Sequence, residues 1–124
     1  AHSNARLMKL LSWEFGVVDD GREETKKAAK EFGAELVDFS EIHRFDGVYA
    51  LRLQTERGSA DLGLPLLSQS HLRAHQFLMH PGPVIWGRDL AEDLQVFPNS
   101  LVLEQVRACF EVRKKLLMDL LEFC

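Results

Sequence analysis

The chain has 124 residues, of which 46% are hydrophobic and 27% are charged, and this length predicts one compact domain that can bury a core without disulfides or structural metals. Nineteen acidic residues against 15 Lys and Arg give a net charge of −4, which argues against a nucleic-acid-binding protein. With two cysteines in no framework spacing, no apolar run of transmembrane length and no signal-peptide pattern, we expect a cytoplasmic protein that does not bind membranes.

The first half of the chain alternates helical patterns with short apolar strands. A first helix begins at a cap provided by Ser3 or Asn4 and ends at Gly16, and its nearly continuous apolar character predicts that it is mostly buried. A second helix over 22–32 ends at Gly33, and Ser40 can cap a single helical turn after it. The strands expected here are 16–21, which ends in acidic and glycine turn residues, 34–38 and 47–53.

The second half contains a loop, one more strand and a long helix. Gly, Ser and Pro mark a loop over 58–65, and a short helix over 70–75 precedes a fourth strand over 76–79. After an irregular stretch, a helix capped by Asn99 or Ser100 runs to about residue 123, and its apolar stripe is wide enough to predict burial on two sides or a docking partner. The pattern predicts a three-layer α/β/α fold with a mostly parallel central sheet of four or so strands and a long C-terminal helix.

Polar residues cluster where two of these strands end. Arg52 and Gln54 close the third strand, and the turn 80–83, His-Pro-Gly-Pro, follows the fourth. In an open parallel sheet, ligands bind beyond the carboxyl ends of the strands. A guanidinium, an amide and the exposed backbone of a Gly-Pro turn together predict a site for an anionic small molecule.

Four segments resemble the aspartate/ornithine carbamoyltransferase family, in the same order along the chain. Residues 51–57 resemble the Leu-Arg-x-Gln-x-Glu-Arg segment of aspartate carbamoyltransferases, and 79–83 match the Met-His-Pro-Gly-Pro that follows it. Residues 100–106, with Val112 and Arg113 beyond them, resemble the start of the family's closing helix. His2 and Ser3 resemble the opening of its second domain.

This resemblance implies that the chain is the aspartate-binding, second domain of a carbamoyltransferase, with the carbamoyl phosphate domain absent from residues 1–124. It implies that Arg52 and Gln54 bind L-aspartate and that Pro81, Gly82 and Pro83 lie against carbamoyl phosphate. The implied reaction transfers the carbamoyl group to L-aspartate in de novo pyrimidine biosynthesis, in a homotrimer, without cofactor or metal. The family's phosphate motif and its acid/base histidine belong to the other domain, so we expect no catalytic residue here and no activity from this chain alone.

The chain also departs from the family pattern. The arginine expected directly after His-Ser is Asn4, unless Arg6 takes its place, and Trp86 stands where a second arginine is usual. The segment after Arg57 is short. A non-catalytic, carbamoyltransferase-like interaction or assembly domain is therefore an alternative, and a homodimer through the terminal helix is an alternative assembly. The His-Cys-Leu-Pro usual in ornithine carbamoyltransferases is not what stands at 80–83.

Three other interpretations start from single features. Asp19 and Asp20 at the end of the first strand are typical of phospho-receiver domains, but Arg52 holds the place of the phosphorylated aspartate, so turn and capping roles are favoured. His71 and His75 have the spacing of a metal-binding pair without a third ligand nearby. Cys109 is expected to be a small buried apolar residue, and Trp13 and Trp86 to pack in a core or interface.

Overall fold

The computed structural model describes residues 2–51 and 64–122, and its elements alternate as the sequence predicts. The helices are α1 (His2–Leu10), α2 (Glu23–Phe32) and α3 (Val102–Glu122). The strands are β1 (Gly16–Val18), β2 (Glu35–Val37), β3 (Gly47–Tyr49) and β4 (Phe77–Met79). Short 3₁₀ helices occupy Phe39–Arg44, Gln69–His71 and Glu92–Val96.

The described strands form two parallel pairs, β1 with β2 and β3 with β4. Helix α2 connects the first pair and packs against both of its strands, which is the usual crossover between parallel strands. These features confirm an α/β fold with parallel strands and a long C-terminal helix. The described strands do not form the single central sheet that was predicted, because their hydrogen bonds divide them into two sheets.

The β3–β4 pair is joined by a further backbone bridge and lies against the main core. On its other edge, β4 forms a parallel bridge in which the N–H of Leu78 donates to Asn99 at 3.1 Å and the N–H of Leu101 donates to Leu78 at 2.8 Å. Leu78 is completely buried at the centre of the main core. The other buried members of that core are Ile42, Leu67, Leu72, Leu90, Leu94, Phe97 and Val102. The core therefore lies directly behind the pair that carries the predicted site.

A glycine sets how closely these two strands approach. Gly47 is the register partner of Phe77, and a Cβ atom at residue 47 would overlap the Phe77 ring. Only the absence of a side chain lets the ring lie across the start of β3.

Three predicted helix boundaries are wrong in detail. Helix α1 begins at His2, so Ser3 and Asn4 lie within it instead of before it, and it ends at Leu10 instead of at Gly16. Asp38, rather than Ser40, caps the 3₁₀ helix Phe39–Arg44, because its Oδ1 accepts the backbone N–H of Ser40 at 2.8 Å. This contact and the Ser40 hydroxyl lower the pKa of the Asp38 carboxyl. The last helix begins after Leu101, and the Asn99 amide donates to a distant carbonyl, that of Ala74, at 2.6 Å.

The first helix is also more exposed than predicted. Leu7 and Leu10 of α1 and Leu11 directly after it are all more than half exposed, and Leu10 is 78% exposed. Helix α3 packs against β4 at its start, and within its described residues only Val102 is buried. The exposed apolar residues of α3 are Leu103, Val106, Phe110, Val112, Leu116, Leu117, Met118, Leu120 and Leu121. Both terminal helices thus present apolar surface to their surroundings.

Candidate functional site

The carboxyl ends of β3 and β4 lie side by side, as a ligand site in a parallel pair requires. Tyr49 and Met79 are register partners at the last position of each strand. One residue further on, the N–H of Ala50 donates to the carbonyl of Met79 at 2.9 Å. The segments that leave the two strands therefore start at the same edge, where ligands of α/β proteins bind.

The described residues contain part of the predicted site. Arg52 and Gln54 lie outside them, whereas Pro81, Gly82 and Pro83 form a turn directly after β4. Gly82 has a φ of 66°, a left-handed conformation that favours glycine, and the Gly82–Pro83 peptide bond is cis. Both prolines are exposed, while Gly82 is half-buried. The turn presents backbone groups, with no large side chain, at the edge of the sheet.

His80 shapes this turn from inside. Its side chain is 1% exposed, and its Nδ1 accepts the N–H of Gly82 at 2.9 Å. An accepting Nδ1 carries no proton, so the proton of the neutral ring is on Nε2. This arrangement gives the His80 side chain a structural role in the turn.

One polar residue of this site, Gln105, is identified from the sequence only as part of a helix motif. Gln105, in the first turn of α3, accepts the backbone N–H of His80 at 3.1 Å through Oε1. Its Nε2 donates to the hydroxyl of Tyr49 at 3.0 Å. The signal available in the sequence was a neutral amide in the first turn of the last helix. Its partners are 25 and 56 residues away, so helical periodicity could not identify them.

An apolar groove of about 470 Å³ runs from this network along α3. Met79 and Leu101 line one end, and the side chains of Ala108, Cys109 and Val112 continue along the helix. Cys109 is exposed, which corrects the prediction of a buried residue. Cys109 is exposed because α3 leaves the body of the domain after its first turn, so the rest of its apolar side is not covered.

Other residues singled out in the sequence have structural surroundings. Trp86 is half-buried against the main core and forms a bridge with Leu90, as expected for a packing role. Trp13 is 57% exposed, so it does not pack in the core of this chain, and the interface alternative stays a prediction. The side chain of Asn4 lies outside the described residues, and Arg6 is exposed on α1. The 3₁₀ helix Gln69–His71 ends before His75, so the two histidines do not share a helix face.

Asp19 and Asp20 close the turn before α2. Asp19 Oδ1 accepts the N–H of Gly21 at 2.8 Å, and Asp20 Oδ1 accepts the N–H of Arg22 at 3.1 Å. Burial alone would raise the pKa of Asp20, but hydrogen bonds from Arg22 and Thr25 outweigh it and lower the pKa. The Asp20 carboxylate is also paired with the Arg22 guanidinium, with an Nε–Oδ2 distance of 2.7 Å. The predicted turn role is confirmed. The predicted capping role is not, because the N-cap residue of α2 is Arg22 and no side-chain cap hydrogen bond is formed there.

In the segments 2–51 and 64–122, no three His, Cys, Asp or Glu side chains are grouped so that they could hold a metal ion. Among the helices of those segments, none combines the length and the apolar character that crossing a membrane needs.

Comparison with known proteins gives relatives that are named aspartate carbamoyltransferase catalytic subunits. Over 144 aligned positions and 98% of this chain, the aspartate carbamoyltransferase catalytic subunit of Corynebacterium jeikeium is 28% identical, and the match covers 44% of that protein. The corresponding subunit of Magnetococcus marinus is 31% identical over 134 positions, which cover 97% of this chain and 41% of the relative. The chain thus spans less than half the length of these curated relatives. No protein-family model matches it.

Solved structures with a similar fold are also carbamoyltransferases. Aspartate transcarbamoylase from Trypanosoma cruzi, in complex with carbamoyl aspartate and phosphate, has a TM-score of 0.57 at 19% identity, covering 85% of this chain and 40% of that one. Ornithine carbamoyltransferase from Pyrococcus furiosus has a TM-score of 0.59 at 21% identity, covering 86% and 41%. At these identities the likeness establishes the α/β fold.

Proposed function

We propose, from the premise that this chain is homologous to part of the aspartate carbamoyltransferase catalytic subunit, that it supplies the L-aspartate-binding half of a carbamoyltransferase site. The observation that carries the proposal is the His-Pro-Gly-Pro turn at the shared carboxyl edge of β3 and β4. Relatives that match nearly the whole chain are named aspartate carbamoyltransferase catalytic subunits, which supports L-aspartate over ornithine.

The proposed reaction transfers a carbamoyl group from carbamoyl phosphate to L-aspartate. The amine nitrogen of L-aspartate forms a bond to the carbamoyl carbon, the bond from that carbon to the phosphate oxygen breaks, and phosphate leaves as the amine loses a proton. Pro81, Gly82 and Pro83 would lie against carbamoyl phosphate through backbone groups. Catalysis would come mainly from positioning and from stabilising the developing charge.

Arg52 and Gln54 are the proposed aspartate contacts. The last described residues before them adjoin the turn, because the N–H of Ala50 donates to the carbonyl of Met79 at the end of β4. A guanidinium can hold a carboxylate through two parallel hydrogen bonds, and an amide can support both partners. With Asn4 in place of the usual arginine, Arg52 carries more of the dicarboxylate recognition, so we expect weak binding of aspartate.

The rest of the machinery would come from outside these 124 residues. We propose that carbamoyl phosphate binds chiefly to a first domain that is the main partner of this chain, and that the complete protein is a cytoplasmic homotrimer without cofactor, acting in pyrimidine synthesis. The exposed Cys109 thiol supports a reducing compartment. The isolated chain would then form no carbamoyl aspartate.

Two measurements test this proposal. Carbamoyl aspartate formation by the isolated chain should stay at background, and robust turnover would overturn the half-site argument. In an NMR titration with N-phosphonacetyl-L-aspartate, Arg52→Ala should weaken binding by about 10- to 100-fold, since a lost charged hydrogen bond costs about 1.5–3 kcal/mol. Arg73→Ala is the matched control, because Arg73 is exposed and precedes the opposite, amino end of β4. Equal weakening by both variants would remove Arg52 from the site.

The exposed apolar side chains of α3 favour a second candidate, a carbamoyltransferase-like assembly domain without catalytic function. Under that alternative, the chain would bind a second copy or another domain through α3 and would not respond to the phosphonate. Absence of phosphonate binding, together with self-association that depends on α3, would favour it over the substrate-binding role.

A further inference from the structure

Gln105 connects three segments that meet at the candidate site. It lies one turn into α3, its Oε1 accepts the N–H of His80 after β4, and its Nε2 donates to the hydroxyl of Tyr49 at the end of β3. We infer that Gln105 is a positioning residue that holds the backbone of the 80–83 turn in its ligand-binding shape, an inference that rests on the function proposed for this turn.

The chemistry of its partners leaves one orientation for the Gln105 amide. The backbone N–H of His80 can only donate, so an oxygen must face it. The Tyr49 hydroxyl accepts from the amide nitrogen and thereby holds the NH₂ group on the opposite side. A reversed amide would place two donors against each other at His80. Tyr49 therefore orients Gln105, and Gln105 orients the turn.

The constraint passes from residue 80 to residue 82. The His80 backbone is held by Gln105, and the His80 ring accepts the Gly82 N–H at 2.9 Å. Val106, the next residue of α3, lies behind the turn, with its Cγ2 within van der Waals range of a Cβ placed on Gly82. The first turn of α3 thus supports the turn on its inner side, while Pro81 and Pro83 face outward.

This role differs from ordinary core packing. Gln105 is half-buried rather than buried, and it lies beside the groove along α3, outside the apolar core that holds Leu78. Its two hydrogen bonds end on the backbone after β4 and on the last side chain of β3, which are the two strand ends that carry the proposed ligand contacts. Replacement of Gln105 should therefore alter the conformation of the 80–83 turn while the fold stays intact.

The experiment uses the 124-residue chain with N-phosphonacetyl-L-aspartate as the probe. Gln105→Leu removes both hydrogen bonds at similar volume. It should weaken phosphonate binding about tenfold or more and speed hydrogen exchange at the Gly82 amide by a similar factor, because an unsatisfied buried N–H costs about that much. Gln95→Leu, the same substitution at an exposed position in the 3₁₀ helix Glu92–Val96, is the matched control and should change neither value.

Two further variants keep the test valid if Gln105→Leu folds poorly. Tyr49→Phe leaves the bond to His80 but removes the group that orients the amide, so both effects should appear at a smaller size. Gln105→Glu can accept from the His80 N–H and from the Tyr49 O–H at once, so the Gly82 amide should stay protected. A ¹⁵N shift of His80 Nδ1 typical of an acceptor should persist in Gln105→Glu and be lost in Gln105→Leu.

The outcomes separate this inference from the proposed function. If the wild type binds no phosphonate but Gln105→Leu still releases the Gly82 amide, the proposed function fails and the control of the turn by Gln105 stands. If the wild type binds and Gln105→Leu binds equally well, the inference is overturned, whether or not Gly82 exchange changes. Equal effects of Gln95→Leu and Gln105→Leu would also overturn it.

Discussion

Replacement of Gly47 with alanine should destabilise the protein through a single contact between the two strands that carry the site. A Cβ at residue 47 would fall on the Phe77 ring, closest to Cε2 and Cζ, with Cδ2 at 2.7 Å. Overpacking of this kind costs about 1–3 kcal/mol. Alanine recovers about 0.5–1 kcal/mol over glycine in a strand. Because the new Cβ would meet three atoms of the ring, the upper part of the overpacking cost applies, about 2–3 kcal/mol, and the free energy of unfolding should fall by about 1–2 kcal/mol.

Urea unfolding followed by far-UV circular dichroism measures this change. The midpoint should fall while the slope stays constant, because the native surface is unchanged. Adding Phe77→Leu shortens the side chain that the new methyl group meets, so the double variant should recover about 1 kcal/mol of the loss. Gly33→Ala is the matched control. Gly33 has a φ of 67° and open space around it, so its cost comes from backbone strain that Phe77→Leu cannot relieve.

The reasoning would be refuted if Gly47→Ala were as stable as the wild type. It would also fail if Phe77→Leu changed the cost of Gly47→Ala and of Gly33→Ala by the same amount, because the loss would then not depend on the close approach of β3 and β4.

Three further predictions concern the core, the turn before α2 and the last helix. Leu78→Ala should lower the free energy of unfolding by about 3–5 kcal/mol in the same urea assay, since this completely buried side chain lies at the centre of the core, and a loss below about 1 kcal/mol would contradict that position. The folded-state pKa of Asp20 lies below its ordinary value, so the stability that this carboxylate contributes is present above pH 4 and is lost as the pH falls through the folded pKa. The wild type should therefore lose more stability than Asp20→Asn between pH 5 and pH 3. Parallel pH profiles of the two proteins would contradict the pairing of Asp20 with Arg22. Phe110→Gln and Leu117→Gln should change the free energy of unfolding by no more than about 0.5 kcal/mol, because both side chains are largely exposed. They should also reduce any self-association seen by sedimentation. A clear loss of stability would show that α3 is packed, and a clean monomer of the wild type at high concentration would exclude the homodimer.

Local patterns in the sequence predicted most of the secondary structure. Each of the four described strands falls within a stretch that was predicted from its apolar run and flanking turn residues, and α2 begins within one residue of its expected start and ends at Gly33. The Pro and Gly residues of 80–83 excluded regular structure there, which is where the turn lies. Such features depend on neighbours within a few residues, which is why a sequence pattern can predict them.

The errors have a common physical cause. Asn99 has the chemistry of a helix cap, but its amide is used by Ala74, 25 residues away. Leu10 and Cys109 are apolar residues on helical patterns, yet both are exposed, because burial depends on whether another element covers that side of the helix. Periodicity identifies an apolar face and gives no information on what covers it.

The features of the candidate site also divide into those set by neighbouring residues and those set by residues far apart in the sequence. By itself, the sequence determined the α/β alternation, the ordered motifs that indicate a carbamoyltransferase relative, and the backbone character of the 80–83 turn. Only the tertiary structure decided that Gln105 and Tyr49 hold this turn, because their hydrogen bonds join residues 25 and 56 positions apart. Hydrogen bonds between residues so far apart in the sequence form only when burial of the core around Leu78 has brought β3, β4 and α3 together.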